Sequence, residues 1–283
     1  MSNDATTNSH ESSLEGHTIL MSGGSRGIGL AIALRAARDG ANIAILAKTA
    51  EPHPTLEGTV HTAAAQIEEA GGRALAIAGD VRNDADIQRA VALTAETFGG
   101  IDKVINNASA INLVNTESID MKRYDLMQDI NARGTFALSK FALEHLKGGR
   151  NPHILTLSPP LNLDPKWFKD NLAYTMAKYG MSMVTLGLAA ELAEAGIAVN
   201  SLWPRTLIDT AAVRNMPGGA ELVKRARTPE IMADAAYAIL TSPSSLTGNF
   251  LIDDDVLTSR GVTDLEKYSP GVAQADLLPD FYL

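Results

Sequence analysis

The stretch that decides the fold is residues 18–29, T-I-L-M-S-G-G-S-R-G-I-G. It begins as a short apolar strand, has glycines at Gly23, Gly27 and Gly29, and then continues with helical periodicity. Glycines in such a turn permit positive φ and let the backbone approach a phosphate closely. The N-terminus of the following helix offers free N–H groups to a pyrophosphate. The stretch therefore predicts a dinucleotide-binding turn, with a purely structural glycine turn as the alternative.

The rest of the chain alternates short β-rich runs with longer segments of helical period, which is typical of βαβ units. We predict seven strands, centred near Ile19, Ile43, Ile77, Ile105, Leu155, Val199 and Leu251. The predicted helices cover residues 28–39, 60–70, 85–98, 124–146, 173–195 and 229–240. The expected fold class is α/β, with one Rossmann-type, doubly wound, seven-stranded parallel sheet and helices on both faces. We expect a single domain over residues 14–283 after a disordered N-terminal tail, residues 1–13.

Composition excludes several function classes. The 283 residues carry a formal net charge of -9 and have a pI of about 5.1, which argues against a nucleic-acid partner. The chain has no cysteine, which excludes disulfides and thiolate catalysis, and histidines such as His53 and His61 show no metal spacing. The polar N-terminus does not resemble a secretory signal, and no apolar run reaches the ~20 residues of a membrane span. We expect a cytoplasmic protein without a metal site.

The end of the second predicted strand indicates which cofactor binds. NAD-binding folds usually place an acidic residue there, about 20 residues after the glycine loop, to hold the ribose 2′-hydroxyl. Here Ala47 occupies that place and Lys48 follows it, while Arg26 lies within the glycine loop. Two cations without an anion favour a 2′-phosphate and predict NADP(H), with two solvated surface charges as the alternative. The predicted cofactor contacts in these two segments are Gly23, Ser25, Arg26, Gly27, Ile28, Gly29 and Lys48.

Tyr174 and Lys178 lie four residues apart in A-Y-T-M-A-K, a spacing that puts both on one face of a helix. A free phenol, with a pKa of about 10, is a poor base, but a neighbouring ammonium and the positive nicotinamide of an oxidised cofactor favour the phenolate. Tyr174 is therefore predicted to exchange a proton with an alcohol or carbonyl group as hydride moves. Lys178 is predicted to bind the nicotinamide ribose as well. The alternative is a chance pair of packing residues.

Together these residues resemble the short-chain dehydrogenase/reductase family over residues 16–253. The shared marks are the glycine loop, Asp80-Val81 after the third strand, N-N-A-S at residues 106–109, Asn131, a serine after the fifth strand, and the Tyr174–Lys178 pair. Stretches such as L-S-P-P-L-N-L and A-K-Y-G-M-S-M are most similar to the hydroxysteroid dehydrogenase-like branch. The C-terminal sterol-carrier-like domain of some relatives in that branch is not expected in a chain of this length.

The resemblance implies roles for further residues. Asp80, followed by Val81, would contact the adenine, and Asn107 would line the cofactor groove. Asn131 would hold a water that passes protons to Lys178. For Asp80 the alternative is a strand-end cap, and for Asn131 it is a helix-bulge residue that only fixes geometry.

The chain departs from the family near the expected catalytic serine. A serine after the fifth strand would hydrogen-bond the substrate oxygen, and Ser158 is the only serine there, because Pro159 stands where the second, catalytic residue usually lies. We assign Ser158 as catalytic, with a plain strand-end hydroxyl as the alternative and Asn162 as a substitute. Arg205, which follows a proline after the sixth strand, either faces an acidic substrate or lies on the surface.

Three segments bear on the substrate pocket and on assembly. Trp167 and Phe168 either wall the pocket or form a lid that packs on the neighbouring helix. The C-terminal residues 277–283, L-L-P-D-F-Y-L, cap either this chain's own pocket or that of a neighbour. A methionine stripe on the Tyr174 helix is typical of core or of a subunit interface. The resemblance implies a homodimer or homotetramer, and the stripe consists of Met176, Met181 and Met183.

The resemblance thus implies an NADP(H)-dependent oxidoreductase that transfers a hydride between nicotinamide and a small-molecule alcohol or carbonyl substrate of apolar, lipid-like character. Two alternatives remain open. One is a cofactor-binding module with little or no turnover, in a redox-sensing or interaction role, which Pro159 favours. The other is an isomerase or dehydratase that uses the same tyrosine without net redox.

Overall fold

The computed structural model describes residues 13–52 and 57–283. Its strands are β1 (Thr18–Ser22), β2 (Asn42–Ala47), β3 (Arg73–Ala78), β4 (Lys103–Asn106), β5 (His153–Thr156), β6 (Ala198–Trp203) and β7 (Phe250–Ile252). Within the described residues they form one sheet of order β3-β2-β1-β4-β5-β6-β7, and every neighbouring pair is parallel. The predicted fold class and the seven predicted strands are confirmed.

Helices cover both faces of the sheet. They are α1 (Gly27–Ala37), α2 (Val60–Glu69), α3 (Asp84–Phe98), α4 (Met121–Met127), α5 (Gly134–Leu146), α6 (Leu172–Glu191), α7 (Ala211–Arg214), α8 (Gly219–Leu222), α9 (Glu230–Leu240) and α10 (Asp253–Ser259). In β1, Ile19 and Met21 pack in a core with α1 and α9, whereas Leu20 packs in a second core with α3, α5 and α6. This alternation shows why the three central positions of the strand, Ile19, Leu20 and Met21, are all apolar. No helix within the described residues is long and apolar enough to cross a membrane.

Local signals set the helix boundaries close to the predicted ones. At the start of α2, Thr59 Oγ1 accepts from Thr62 N at 3.1 Å and Thr59 N donates to Thr62 Oγ1 at 2.8 Å, which is a capping box. At the start of α3, Asn83 Oδ1 accepts from Ala85 N at 2.9 Å, and Gly99 ends this helix in the left-handed region at φ 87°. The short helices α7, α8 and α10 were not predicted, since four to seven residues carry too little periodicity.

The predicted long helix, residues 124–146, is interrupted. It begins earlier, at Met121, and a π-helical segment, Gln128–Arg133, separates α4 from α5. Such segments are frequent at functional sites. The α6 helix packs closely on this segment, because a Cβ at Gly180 would lie 2.6 Å from Ala132 Cβ.

The predicted N-terminal tail, residues 1–13, lies outside the described residues apart from Ser13. The Ser13 hydroxyl donates to Asp39 Oδ2 at 3.1 Å, and the next residue, Leu14, is buried in the core. The single-domain boundary at residue 14 stays a prediction.

Strand order places the candidate site. The order reverses between β1 and β4, and parallel sheets bind ligands at such a switch point, beyond the carboxyl ends of the strands. The glycine loop leaves β1 at this edge, and the segments after β4, β5 and β6 emerge beside it. The residues singled out in the sequence therefore share one edge of the sheet.

The opposite edge holds a buried polar cluster. Lys103 and His153 begin β4 and β5 and pair directly, and both are buried. Burial lowers the pKa of His153 to about 3, and Lys103 adds to this effect. Burial also lowers the pKa of the nearby His17 to about 4, helped by Lys103 and opposed by Asp102. Both histidines are therefore neutral in the folded protein at neutral pH.

Acid is expected to destabilise the fold through these histidines. Their folded-state pKa values lie below the ordinary 6.5, so the unfolded chain binds protons first as the pH falls. Stability is then greatest above about pH 6.5 and declines toward pH 3–4, by up to about 1.4 kcal/mol per pH unit for each histidine. Denaturant unfolding across this range should show a shallower decline for His153→Gln, whereas the exposed control His61→Gln should follow the wild type. Equal slopes for all three proteins would contradict this assignment.

Candidate active site

The glycine loop is held by the segment after β4. Asn107 Nδ2 donates to Gly23 O at 2.7 Å, and the backbone N–H groups of Asn107 and Ala108 donate to Ser22 Oγ at 3.2 Å. Gly23 has φ 75°, and a Cβ there would lie 2.8 Å from Ala108 Cα. A Cβ at Gly29 would lie 2.5 Å from Asn107 Nδ2. The loop is thus a tight cradle that only glycine fits at these two positions.

The start of α1 fits a pyrophosphate. Among the described residues, no side chain caps this helix, and its first turn contains no acidic residue. The first N–H groups, beginning at Gly27, are therefore available to an anion at the positive end of the helix dipole. Ser25 is buried within the loop, and Ile28 is half-buried in the first turn. These features are compatible with the predicted binding of a pyrophosphate by the loop, which stays a prediction.

Two cations pair with Asp80, the acid that follows β3. Lys48 Nζ lies 3.4 Å from Asp80 Oδ2, and Arg82 forms a bidentate pair with the same carboxylate, with Nη2 2.6 Å from Oδ2. The hydrogen bond from Arg82 is the main cause that lowers the pKa of Asp80 to about 2. Arg26 Nη2 donates to Gly58 O at 2.6 Å, and its buried Nε has no partner among the described residues. The orphaned Arg26 donor in the glycine loop suits an anionic group such as a phosphate, whereas Lys48 and Arg82 are each paired with Asp80.

Sequence reasoning missed Arg82. The sequence did offer a clue to Arg82. It lies two residues after Asp80, beyond the end of β3, and β3 is the neighbour of β2. The residue between Asp80 and Arg82, Val81, was predicted to contact the cofactor. It is buried in the core beside Gly134, where a Cβ would lie 3.1 Å from Val81 Cγ2. The cofactor role of Val81 stays a prediction.

Tyr174 and Lys178 lie on α6 and are both buried, with 6% and 3% exposure. Lys178 Nζ donates to Leu157 O at 2.6 Å and lies 4.9 Å from the centre of the Trp203 ring. The Tyr174 hydroxyl makes no hydrogen bond within the described part of the chain. The carbonyl of Leu157, at the end of β5, thus orients the ammonium, and the phenol is left with its donor and acceptor free.

Burial sets the direction of the Tyr174 pKa shift in this structure. It raises the pKa well above 10, and Tyr282 and Asp280 add to the rise. Burial also lowers the pKa of Lys178 to about 7, with Asp280 opposing. Burial therefore dominates the pKa of Tyr174 in this geometry, and the lowering of that pKa by Lys178 together with an oxidised nicotinamide stays a prediction.

Asn131 lies within the π-helical segment and is fully buried. Its Oδ1 accepts from Ala110 N at 2.7 Å and its Nδ2 donates to Ala110 O at 3.0 Å. Both polar atoms of the side chain therefore hold the loop after β4. This contact matches the alternative in which Asn131 fixes geometry, and its water-holding role stays a prediction.

Ser158 is fully buried at the end of β5. Its hydroxyl shares a hydrogen bond of 2.8 Å with Ser201 Oγ on β6, and Ser201 in turn donates to Thr185 Oγ1 on α6. The structure therefore gives Ser158 a partner between two strands and a helix, and its catalytic role stays a prediction. The suggested substitute, Asn162, is also engaged, since its Nδ2 donates to Tyr282 O at 3.4 Å and its Oδ1 accepts from Asp164 N.

Aromatic side chains pack around Tyr174. Phe168 meets Tyr179 edge to face at 5.5 Å, and the backbone O of Trp167 accepts from Thr175 Oγ1 at 2.6 Å, so both residues pack on α6. This cluster contains eight of the 14 aromatic residues of the chain. Its aromatic members are Tyr124, Trp167, Phe168, Tyr174, Tyr179, Trp203, Phe281 and Tyr282.

Arg205 does not offer a free cation to a substrate. Its Nε lies 2.7 Å from Asp254 Oδ1 and its Nη2 lies 2.6 Å from Asp255 Oδ2. Of the two roles considered, the structure favours the one without a substrate contact. The sequence signal that was overlooked is D-D-D at residues 253–255, which supplies these partners.

Comparison with known proteins identifies the family. The short chain dehydrogenase profile matches residues 17–218. The chain belongs to the short-chain dehydrogenase/reductase family. It is 57% identical to hydroxysteroid dehydrogenase-like protein 2 of Danio rerio and 52% identical to that of Homo sapiens, each over 95% of this chain. The chain spans 64% of the length of these two relatives.

Solved structures of this family share the fold. A short chain dehydrogenase from Mycobacterium thermoresistibile is 57% identical, with a TM-score of 0.90 and 96% coverage of both chains. An NADH-dependent reductase of alginate metabolism, A1-R', is 26% identical, with a TM-score of 0.68 over 84% of this chain and 96% of that one. Short-chain dehydrogenases are oxidoreductases that use a nicotinamide cofactor and act on small molecules. The resemblance to the hydroxysteroid dehydrogenase-like branch is confirmed.

Proposed function

We propose that the protein is an NADP(H)-dependent reductase or dehydrogenase of apolar carbonyl or alcohol substrates. The observation that carries this proposal is the buried Tyr174 hydroxyl, which is free of hydrogen bonds among the described residues and lies on the helix that also bears Lys178. The cofactor, when bound, supplies or accepts the hydride. The glycine loop with Asn107 would hold its pyrophosphate, and Arg26 with Lys48 would hold the 2′-phosphate.

Tyr174 is in the protonation state that reduction of a carbonyl group requires. A phenol with a pKa well above 10 is protonated at neutral pH, so Tyr174 is ready to donate a proton to a carbonyl oxygen. Lys178, with a pKa of about 7 and an acceptor at Leu157 O, can return a proton toward the site. The aromatic cluster around Tyr174 supports an apolar, lipid-like carbonyl substrate.

The cofactor part is tested by fluorescence titration of the purified protein with NADPH and NADH in parallel. We expect NADPH to bind at least about tenfold more tightly, because one charge-assisted contact to the extra phosphate contributes about 1.5–3 kcal/mol. Equal affinities for NADPH and NADH would contradict the proposed preference for NADPH, but they would still be compatible with a nicotinamide-dependent oxidoreductase. Absence of binding by either cofactor would overturn the enzymatic proposal.

A cofactor-binding module without turnover is the second candidate, and the position of Ser158 favours it. Its hydroxyl is committed to Ser201, and Pro159 offers no hydroxyl in its place. A screen of carbonyl compounds with NADPH separates the two candidates. Turnover that disappears in Tyr174→Phe supports the enzyme, whereas cofactor binding without any turnover supports the module.

We also propose a homo-oligomer formed through α5 and α6. These helices expose Phe136, Met176, Met183 and Leu186 at 44–60% of their surface, whereas Met181 on the same helix is fully buried. Exposed apolar residues clustered on two adjacent helices indicate an interface. Light scattering coupled to size exclusion should give the mass of a dimer or tetramer, and Met183→Glu should shift it toward the monomer. A wild-type monomer at micromolar concentration would contradict this prediction.

A further inference from the structure

The C-terminal residues 279–283, here called the tail, run antiparallel to the segment that leaves β6. Pro279 bridges Thr206, and Asp280 N donates to Arg205 O at 3.0 Å. Leu207 N donates to Leu278 O at 2.9 Å just before the tail. Because β6 ends at the edge of the sheet where the candidate site lies, this pairing brings the tail of the chain to its own site.

Three further hydrogen bonds fasten the tail there. Trp203 Nε1 donates to Phe281 O at 2.9 Å, and Asn162 Nδ2 donates to Tyr282 O at 3.4 Å. The hydroxyls of Thr175 and Tyr282 lie 3.3 Å apart. The partners belong to β6, to the loop between β5 and α6, and to α6 itself. The tail is therefore tied to the elements that carry the proposed catalytic groups.

The ring of Tyr282 anchors the tail. It is 2% exposed, and its centre lies 5.3–5.9 Å from the rings of Tyr179, Trp167 and Trp203. Its backbone has φ 76°, a region that is unfavourable for a large side chain and is kept only where the surroundings hold it. Both tryptophans of the chain thus contact this one residue.

Asp280 is the acid that the tail brings to the site. Its side chain is half-buried. Burial raises the pKa of Asp280 to about 7, with Lys178 opposing and Asp253 adding to the rise. The Asp280 charge in turn raises the pKa of Tyr174 and of Tyr282. These four groups, from α6, the tail and the start of α10, interact electrostatically with Asp280.

We propose that Asp280 is a specificity-determining residue whose carboxylate disfavours substrates with a negative charge beside the reacting carbonyl. The inference rests on the proposed function and narrows its substrate class to neutral, apolar carbonyl or alcohol compounds. Two like charges in an apolar surrounding repel strongly. Arg205, whose backbone pairs with the tail, does not offset the charge, because its guanidinium is bound to Asp254 and Asp255.

The first test compares turnover of two matched substrates with NADPH, neutral methyl benzoylformate and anionic benzoylformate. We expect the wild type to prefer the ester and Asp280→Asn to lower the ratio of the two kcat/KM values about tenfold. The wild-type preference should grow as the pH rises through 7, and that of the variant should stay constant. An asparagine Oδ1 can still accept the 2.6 Å hydrogen bond from Phe281 N, so the variant is expected to fold. The exposed control Asp276→Asn makes the same charge change and should behave as the wild type.

The second test measures binding without turnover. Because both tryptophans contact Tyr282, tryptophan emission reports ligands at the tail. Titration with cyclohexanecarboxamide and cyclohexanecarboxylate should show tighter binding of the amide to the wild type and a loss of that difference in Asp280→Asn. An undiminished difference in the variant, or no binding of either compound to the wild type, would overturn the role of Asp280. Binding that follows the prediction without any turnover would instead contradict the proposed function alone.

Discussion

Replacing Tyr174 with phenylalanine is expected to lower kcat by about 10²–10⁴-fold while leaving the dissociation constant for NADPH unchanged. The phenylalanine ring fills the same buried space on α6, but it cannot donate a proton to a carbonyl oxygen. The wild-type hydroxyl makes no hydrogen bond among the described residues, so its removal leaves no buried partner unsatisfied. The free energy of unfolding of the variant should therefore lie within a few tenths of a kcal/mol of the wild-type value. Steady-state kinetics on a substrate from the carbonyl screen, with a cofactor titration, measure these quantities.

Tyr237→Phe is the matched control and should show the opposite pattern. The Tyr237 hydroxyl donates to Asp39 Oδ2 at 2.6 Å on the α1–α9 side, away from the candidate site. Its loss should cost about 1 kcal/mol of stability and leave kcat unchanged. Comparable losses of kcat in the two variants would mean that the Tyr174 effect is structural, and the role of Tyr174 as the proton donor would be abandoned.

The parallel sheet was predictable because its strands are buried on both faces. Residues 43–47, I-A-I-L-A, form a continuous apolar run, and β2 lies between β1 and β3 with helices on either side. The glycine loop was predictable for a different reason. A Cβ at Gly23 would clash with Ala108, and a Cβ at Gly29 would clash with Asn107. Glycine at these two positions therefore indicates a close approach of the backbone.

The environment of the proposed catalytic groups was less predictable, because it depends on residues distant in sequence. The spacing of Tyr174 and Lys178 predicts a shared helix face, yet it does not reveal that both are buried. Asp280, which lies 102 positions after Lys178, reaches the same site only through the pairing of the tail with the exit of β6. Likewise, the position of Ser158 in the chain predicts a hydrogen bond to the substrate. In the structure its hydroxyl instead bonds to Ser201, which lies on β6, the strand next to β5.

The second large effect is expected when the two cations proposed to bind the adenosine end of the cofactor are removed. In Arg26→Ala/Lys48→Ala the dissociation constant for NADPH should rise about 100-fold, because each charge-assisted contact to phosphate contributes about 1.5–3 kcal/mol. The affinity for NADH should change by less than about threefold, since the 2′-hydroxyl gives these cations no charge to bind. Arg82 remains beside Asp80 in the variant and limits the loss. Parallel fluorescence titrations of the variant with both cofactors measure the change in preference.

The control removes one lysine and one arginine elsewhere. Lys122 and Arg123 are exposed on α4, and Lys122→Ala/Arg123→Ala should leave both affinities as they are in the wild type. Higher salt should weaken NADPH binding more than NADH binding in the wild type, because the extra phosphate is held by partly exposed charges. If the double Arg26/Lys48 variant kept its preference for NADPH, other groups would have to bind the 2′-phosphate. Arg82 would then be the first of these to replace. A loss of affinity for both cofactors alike would instead mean that Arg26, through its contact with Gly58 O, shapes the glycine loop itself.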